Sequence, residues 1–201
     1  ASMKWINARQ IADLITTTLV IFGLYFLAYF LVWAVITPLQ NAVIPEITKY
    51  ASLLFLPHGV RVFATSLVGR KSIPGLLLAE FVGNYIFWDV HGWIPLLVVS
   101  TASGTVTYIV FEALKAARVN AYYLQVTSQP PPLHTFMLAG VLASAANGFL
   151  VTTIMEGGMT VGEVTTVLAA FMTGDVTGLI AVIMIAKLVM PIITARMQRG
   201  D

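Results

Sequence analysis

Four residues able to do chemistry lie in one otherwise apolar stretch of the chain: His58, Arg61, Glu80 and Asn84. They belong to the motifs Leu56-Pro57-His58-Gly59-Val60-Arg61 and Ala79-Glu80-Phe81-Val82-Gly83-Asn84, with Gly69-Arg70-Lys71-Ser72-Ile73-Pro74-Gly75 between. A fifth, Asp175, stands far downstream in Phe171-Met172-Thr173-Gly174-Asp175-Val176-Thr177-Gly178. An ionisable group at membrane depth costs at least ~2.5–3.5 kcal/mol to insert, so each marks a candidate site and needs a partner. Arg61 lies seven residues before Val68 and Glu80 seven after Ile73. At ~1.5 Å per residue both sit about 10 Å from the same boundary, which predicts a guanidinium–carboxylate pair. His58 is about one turn deeper, and Asp175 reaches a similar depth if Lys187 snorkels to the interface. His58 and Asp175 then meet or flank one cavity, where an imidazole and a carboxylate can hold or relay a proton.

Against these readings stands a plainer one, in which buried polar groups only fasten helices together. Asn84 and Asn147 read more readily as packing hydrogen bonds than as ligands, and His91 and His134 as solvated residues in or beside turns. Pro57 removes a backbone donor and Gly59 loosens the helix, so the sequence predicts a break there. Gly174 and Gly178 permit a second break or a close neighbouring helix. Broken backbone at membrane depth persists only where protein or a water-filled cavity satisfies it. Carriers build midplane binding sites in this way, so the break points to a pocket or a hinge.

Composition dictates the setting for these residues. Of 201 residues, 58% are hydrophobic and only 10% charged, and the mean hydropathy is +0.88. A soluble domain carries roughly 25% charged residues, so this chain cannot cover its surface in water. Several apolar runs approach or exceed the ~20 residues that span a bilayer as a helix, and the alternation of a membrane β-barrel is absent. The expectation is an all-α, polytopic membrane bundle of about six transmembrane helices, one or two of them broken. Residues 1–201 form one integral membrane domain. Ala1-Ser2 ahead of Met3 reads as a cloning remnant, and residues 195–201 as a cytoplasmic tail.

The spans run from about Ile11 to Ile36, where Pro38 stops the first, then Ile47 to Val68 and Ile73 to Trp88. Three more follow: Trp93 to Leu114, Leu133 to Met155, and Thr160 to about Thr194. The last is too long for one straight crossing; it tilts, breaks near Thr173-Gly174-Asp175, or continues as a cytoplasmic extension after Lys187. Tyr25, Tyr29 and Trp33 fall in the second half of the first span, Trp33 suited to an interfacial belt. The loop from Lys115 to Pro132 ends in Pro130-Pro131-Pro132, a stiff exit. Lys4, Arg9, Arg70, Lys71, Lys115, Arg118, Arg196 and Arg199 fall on the side of the termini. Lys49 faces them with Glu46, Asp89, Glu156 and Glu163. By the positive-inside rule both termini are cytoplasmic. The net charge of +2 reflects these loops and not nucleic-acid binding.

The absence of cysteine excludes disulfides, thiolate metal sites and a cysteine nucleophile. No Walker A motif, Gly-x-Ser-x-Gly elbow, His-Glu-x-x-His pair or dinucleotide fingerprint is present. Catalysis is therefore not the leading reading, and the sequence names no cofactor.

Leu56-Pro57-His58-Gly59, followed by Gly69-Arg70 and Pro74-Gly75, resembles the signature of the first class of bacterial membrane-associated sensor domains (MASE-type). Gly174-Asp175-Val176-Thr177-Gly178 is similar to that family's Gly-Asp-x-x-Gly segment. The chain departs from the pattern at Phe55-Leu56, at His58 and at Arg61. The resemblance implies a multi-span sensory or ligand-binding module of a bacterial inner membrane, in a family whose members feed a cytoplasmic kinase or cyclic-dinucleotide enzyme. Three readings follow. The first is a module that binds a small ligand or senses a membrane-linked signal and relays it to a cytoplasmic or membrane partner. The second is a small transporter or substrate-binding membrane subunit, with proton coupling as an option, and the third a structural subunit of a larger membrane complex.

Overall fold

Asn7 starts the first helix at the polar edge of a long apolar run. Its side chain accepts from the Arg9 N–H, and its own N–H donates to the Gln10 side chain, a capping box. The computed structural model describes residues 7–45, 51–88, 90, 92–123, 131–155 and 161–199, with residues 155, 161, 163 and 190–199 described by backbone alone. The expectations placed on Ala1-Ser2, Lys4, Glu46, Lys49, Asp89, His91, Pro130 and Glu156 lie outside the described residues, as do those on the side chains of Glu163, Arg196 and Arg199.

Helix α1 (Ala8–Leu31) passes through a π-helical turn, Val32–Ile36, into α2 (Thr37–Val43). Pro38 therefore does not stop the first span. The wider turn before it absorbs both the missing donor and the ring's clash with the preceding turn.

Among the described residues, the second expected span is helical from Leu56 onward, as α3 (Leu56–Val68). Pro57 stands in the first turn, where a missing N–H has no intrahelical bond to lose. Leu56-Pro57-His58-Gly59 thus begins a helix and does not break one. Residues 51–55 precede it without helix, and their backbone finds partners elsewhere. The Gln40 side chain donates to Ala51 O at 2.9 Å and accepts from Leu53 N–H at 2.7 Å. Phe55 N–H donates to Gly174 O at 2.9 Å, and Thr177 Oγ1 donates to Leu53 O. Non-helical backbone persists at depth because protein groups satisfy it. Gln40→Ala strands both backbone groups and should destabilise the fold by about 1–3 kcal/mol, read as a lower melting temperature in detergent.

A 3₁₀ turn, Gly69–Ser72, reverses the chain, with Gly69 at φ 56°. Helix α4 (Ile73–Ile86) follows, then α5 (Trp93–Ala116), α6 (Leu133–Met155) and α7 (Val161–Arg199). Ser66 anchors the chain after α5, donating to Ala121 O at 2.8 Å and accepting from Tyr123 N–H at 2.9 Å. Burial, with the hydrogen-bonded Glu112 carboxylate, pushes the Tyr122 phenol pKa well up.

Helix α7 runs 39 residues without the break expected at Gly174 and Gly178. These glycines admit a neighbouring backbone instead. A Cβ at Gly174 would lie 1.9 Å from Ser52 O, and one at Gly178 would lie 2.1 Å from Phe55 O. Gly59 likewise lies against α7, where its Cβ would be 2.8 Å from Gly178 O.

The architecture is an all-helical membrane bundle, with no strand among the described residues. Among the described residues four helices are long and apolar enough to cross a membrane: Ala8–Val43, Trp93–Ala116, Leu133–Ile154 and Val164–Val189. The expected six spans are therefore corrected to fewer than six, with these four as the candidates among the described residues. Helices α3 and α4, with 13 and 14 residues, reach only about 20 Å, short of a hydrocarbon core ~30 Å thick. They form a short hairpin set among the long helices. Helix α3 is the hub, in contact with α1, α5, α6 and α7, while α4 packs on α1 and α5.

Candidate functional site

Positions 58 and 61 share a face of α3, and positions 80 and 84 a face of α4, because residues three or four apart are neighbours on a helix. The tight Gly69–Ser72 turn brings those faces together at matched depth. Arg61, only 1% exposed, is the centre. Its Nη1 donates to Glu80 Oε1 at 3.1 Å, to the Ser103 carbonyl of α5 at 2.8 Å and to Asn147 Oδ1 of α6 at 3.4 Å. The depth-matched pair is thus a direct ion pair between two buried groups.

Glu80 is held from its other side by α1. Tyr25 Oη donates to Oε1 at 2.5 Å and Tyr29 Oη to Oε2 at 2.9 Å. Asn84 Nδ2 lies 3.4 Å from Oε2 and donates to Ser100 Oγ at 3.1 Å. Both carboxylate oxygens are therefore engaged by donors. A buried charge survives when its lone pairs are satisfied in this way.

His58 lies on the opposite flank of Arg61. Its Nε2 is 3.1 Å from the Gly140 carbonyl of α6, and its Nδ1 is 3.2 Å from Arg61 Nη2. A guanidinium only donates and a carbonyl only accepts. The ring is thereby assigned as the Nε2–H tautomer with a bare Nδ1. Asp175 Oδ2, from α7, lies 3.4 Å from that same Nδ1. It is buried and has no hydrogen-bond partner among the described residues, and Arg61 Nε shares that condition.

The arrangement has two chemical consequences. One guanidinium faces two carboxylates, so with a neutral imidazole the cluster carries one excess negative charge in a low-dielectric interior. A proton on Asp175 Oδ2 would cancel it and supply the missing hydrogen toward Nδ1. That nitrogen has a single lone pair, for which Arg61 Nη2 and such a proton compete. Beside these groups is a cavity of about 100 Å³, lined by Arg61, Glu80, Asn84, Asn147 and Asp175 and bordered by Trp88. It has room for a few water molecules.

All five residues singled out in the sequence, His58, Arg61, Glu80, Asn84 and Asp175, meet in this one cluster. Asn84 and Asn147 make packing hydrogen bonds inside it. His134 lies on α6 with an exposed side chain. Tyr25 and Tyr29 are the residues that sequence reasoning missed, since it places them in the second half of the first span without a role. They are 0% and 3% exposed. The available signal was their i,i+4 spacing, which puts two phenols on one face of a span where each hydroxyl needs a partner. Among the described residues, no group of three or more His, Asp or Glu is placed to hold a metal ion.

A family model described as MASE1 matches residues 17–199, which is most of the chain. No curated protein matches it, and neither does any solved structure.

Proposed function

Because the chain belongs to the MASE1 family of membrane-associated sensory domains, we propose that its buried ion cluster is the sensing element and that α7 carries the response. The observation behind this reading is that α7 contributes Asp175 alone to a cluster otherwise built on α1 and the α3–α4 hairpin, with α5 and α6 around it. The same helix continues unbroken to Arg199. A change in the proton shared by Asp175 and His58 alters the attraction between α7 and the hub helix. The charged and titratable groups around that proton are His58 and Arg61 on α3, Glu80 on α4 and Tyr25 on α1. A shift of α7 then moves its far end as a rigid rod.

The cavity beside the cluster, about 100 Å³, is well below the ~300–1,000 Å³ of ordinary small-molecule sites. This favours a sensor of protons or of a very small polar ligand over a carrier of organic substrates. The charge distribution of the loops supports cytoplasmic termini in a bacterial inner membrane, with the response passed to a cytoplasmic or membrane partner.

The chain's lack of cysteine makes the test direct. Spin labels at Lys71→Cys and Leu188→Cys report the distance from the hairpin turn to the lower part of α7 in liposomes. In the parent this distance should change between mildly acidic and mildly alkaline buffer. Asp175→Asn supplies a permanent N–H toward His58, so it should stay folded and hold one distance at both values. An unchanged parent, or an Asp175→Asn variant that moves as the parent does, removes the proposed switch. The cysteine at Lys71 should also resist an impermeant thiol reagent in intact cells.

A further inference from the structure

The ring of helices around α3 is open on one side. Helix α1 packs against α4, and α7 against α6, but between α1 and α7 lies a groove of about 600 Å³ whose floor is α3. Its walls are Val20, Leu24 and Leu27 on α1 and Val182, Ile185 and Val189 on α7, with Val60 and Ala64 beneath. Leu24 and Ile185 remain 53% and 52% exposed, so no other part of the described chain covers the groove.

Two features say what does. The first is length and direction. The groove runs from Thr17 and Val68 to Leu31 and Leu56, which is about 20 Å at 1.5 Å per residue. One leaflet of a ~30 Å hydrocarbon core is about 15 Å deep. The groove thus accommodates a chain entering from one leaflet, and a bilayer-spanning partner helix would overrun it.

The second feature is charge. The end at Val68 adjoins the exposed turn residues Arg70 and Lys71, and exposed Lys187 sits between the lining residues Ala186 and Val189. Asp13 is the acidic group at this mouth and is paired with Lys71 at 2.5 Å. Arg70 and Lys187 remain to face an anion. Juxtamembrane basic groups attract anionic lipid by ~1 kcal/mol each, about fivefold in affinity.

We infer that this groove is a binding site for an anionic phospholipid, one acyl chain lying between α1 and α7 and the headgroup meeting Arg70 and Lys187. The site is separate from the ion cluster, and the inference stands whether or not the cluster senses protons. Its floor and one wall are nonetheless the helices that carry His58, Arg61 and Asp175.

Native mass spectrometry of the full chain in mild detergent tests it, with phosphatidylglycerol and phosphatidylcholine as probes. The parent should retain one phosphatidylglycerol and bind it on the order of tenfold more tightly than phosphatidylcholine. Combining Arg70→Gln with Lys187→Gln should abolish the preference while leaving phosphatidylcholine binding unchanged. Leu24→Trp fills the groove from an exposed position, so it should not perturb folding, and it should weaken both lipids about tenfold. Leu97→Trp on α5, also exposed and outside the groove, should bind both as the parent does. Equal binding of the two lipids by the parent would overturn the proposal. So would unchanged binding by Leu24→Trp, or a cysteine cross-link at position 24 between two copies showing a dimer seated there.

Discussion

Replacing Glu80 by leucine should cost about 3–5 kcal/mol, the largest single-site loss expected in this protein, because it leaves Arg61 charged and unpaired in the interior. The parent pair is 3.1 Å long and both side chains are almost wholly buried. Combining Glu80→Leu with Arg61→Leu removes the stranded charge and should recover part of the loss. Recovery stays incomplete, since Tyr25 and Tyr29 lose the acceptor that both use. Each unsatisfied buried hydroxyl costs about 1–3 kcal/mol. Adding Tyr25→Phe and Tyr29→Phe should therefore raise stability further, although two more hydrogen-bonding groups are deleted. Thermal unfolding in detergent orders the three variants. If the quadruple variant melts no higher than the double, the tyrosines are not held by Glu80 as the geometry requires.

The second large effect concerns the seam between α7 and residues 51–55. Gly174→Ala places a methyl 1.9 Å from the Ser52 carbonyl oxygen and Gly178→Ala places one 2.1 Å from that of Phe55. Both obstacles are backbone, so no side-chain rotation relieves them. Each substitution must push α7 away, breaking the Phe55–Gly174 and Thr177–Leu53 hydrogen bonds. Overpacking typically costs 1–3 kcal/mol, and the lost bonds place these two sites at about 3 kcal/mol or above. Gly23→Ala is the control, because nothing lies within 4 Å of its Cβ position in mid-α1. It should be neutral or stabilising by up to ~1 kcal/mol. Equal melting temperatures for Gly174→Ala and Gly23→Ala would show that the seam is not packed this tightly.

Much of the site was legible because membrane depth is nearly one-dimensional. A helix rises by a constant step and the Gly69–Ser72 turn is short, so counting residues sets Arg61 opposite Glu80. The penalty for an unpaired charge then demands the contact. The same count aligned His58 with Asp175, although only a tertiary contact between the hub and the last helix brings them together. The glycines Gly59, Gly174 and Gly178 were visible as exceptions within apolar spans, but their purpose was not. A glycine beside a proline has the same local signature whether it breaks a helix or receives another backbone. Only the chain packed against it distinguishes the two cases.

Composition and apolar run length determined by themselves that this is an all-helical membrane protein, since only helices and closed barrels satisfy their backbone in lipid and the alternation of a barrel is absent. The positions of the buried charges were determined as well. What the tertiary structure decided is which apolar runs are full spans. Ile47 to Val68 has the length of a crossing, yet residues 51–55 stay out of helix because Gln40, Gly174 and Thr177 satisfy their backbone. Those partners are 11 to 124 residues away in sequence, beyond the reach of any local pattern. The tyrosine clamp on Glu80 and the acceptor state of His58 Nδ1 were decided in the same way. Each depends on which helix face turns inward, and in a chain apolar on nearly every face only packing selects it.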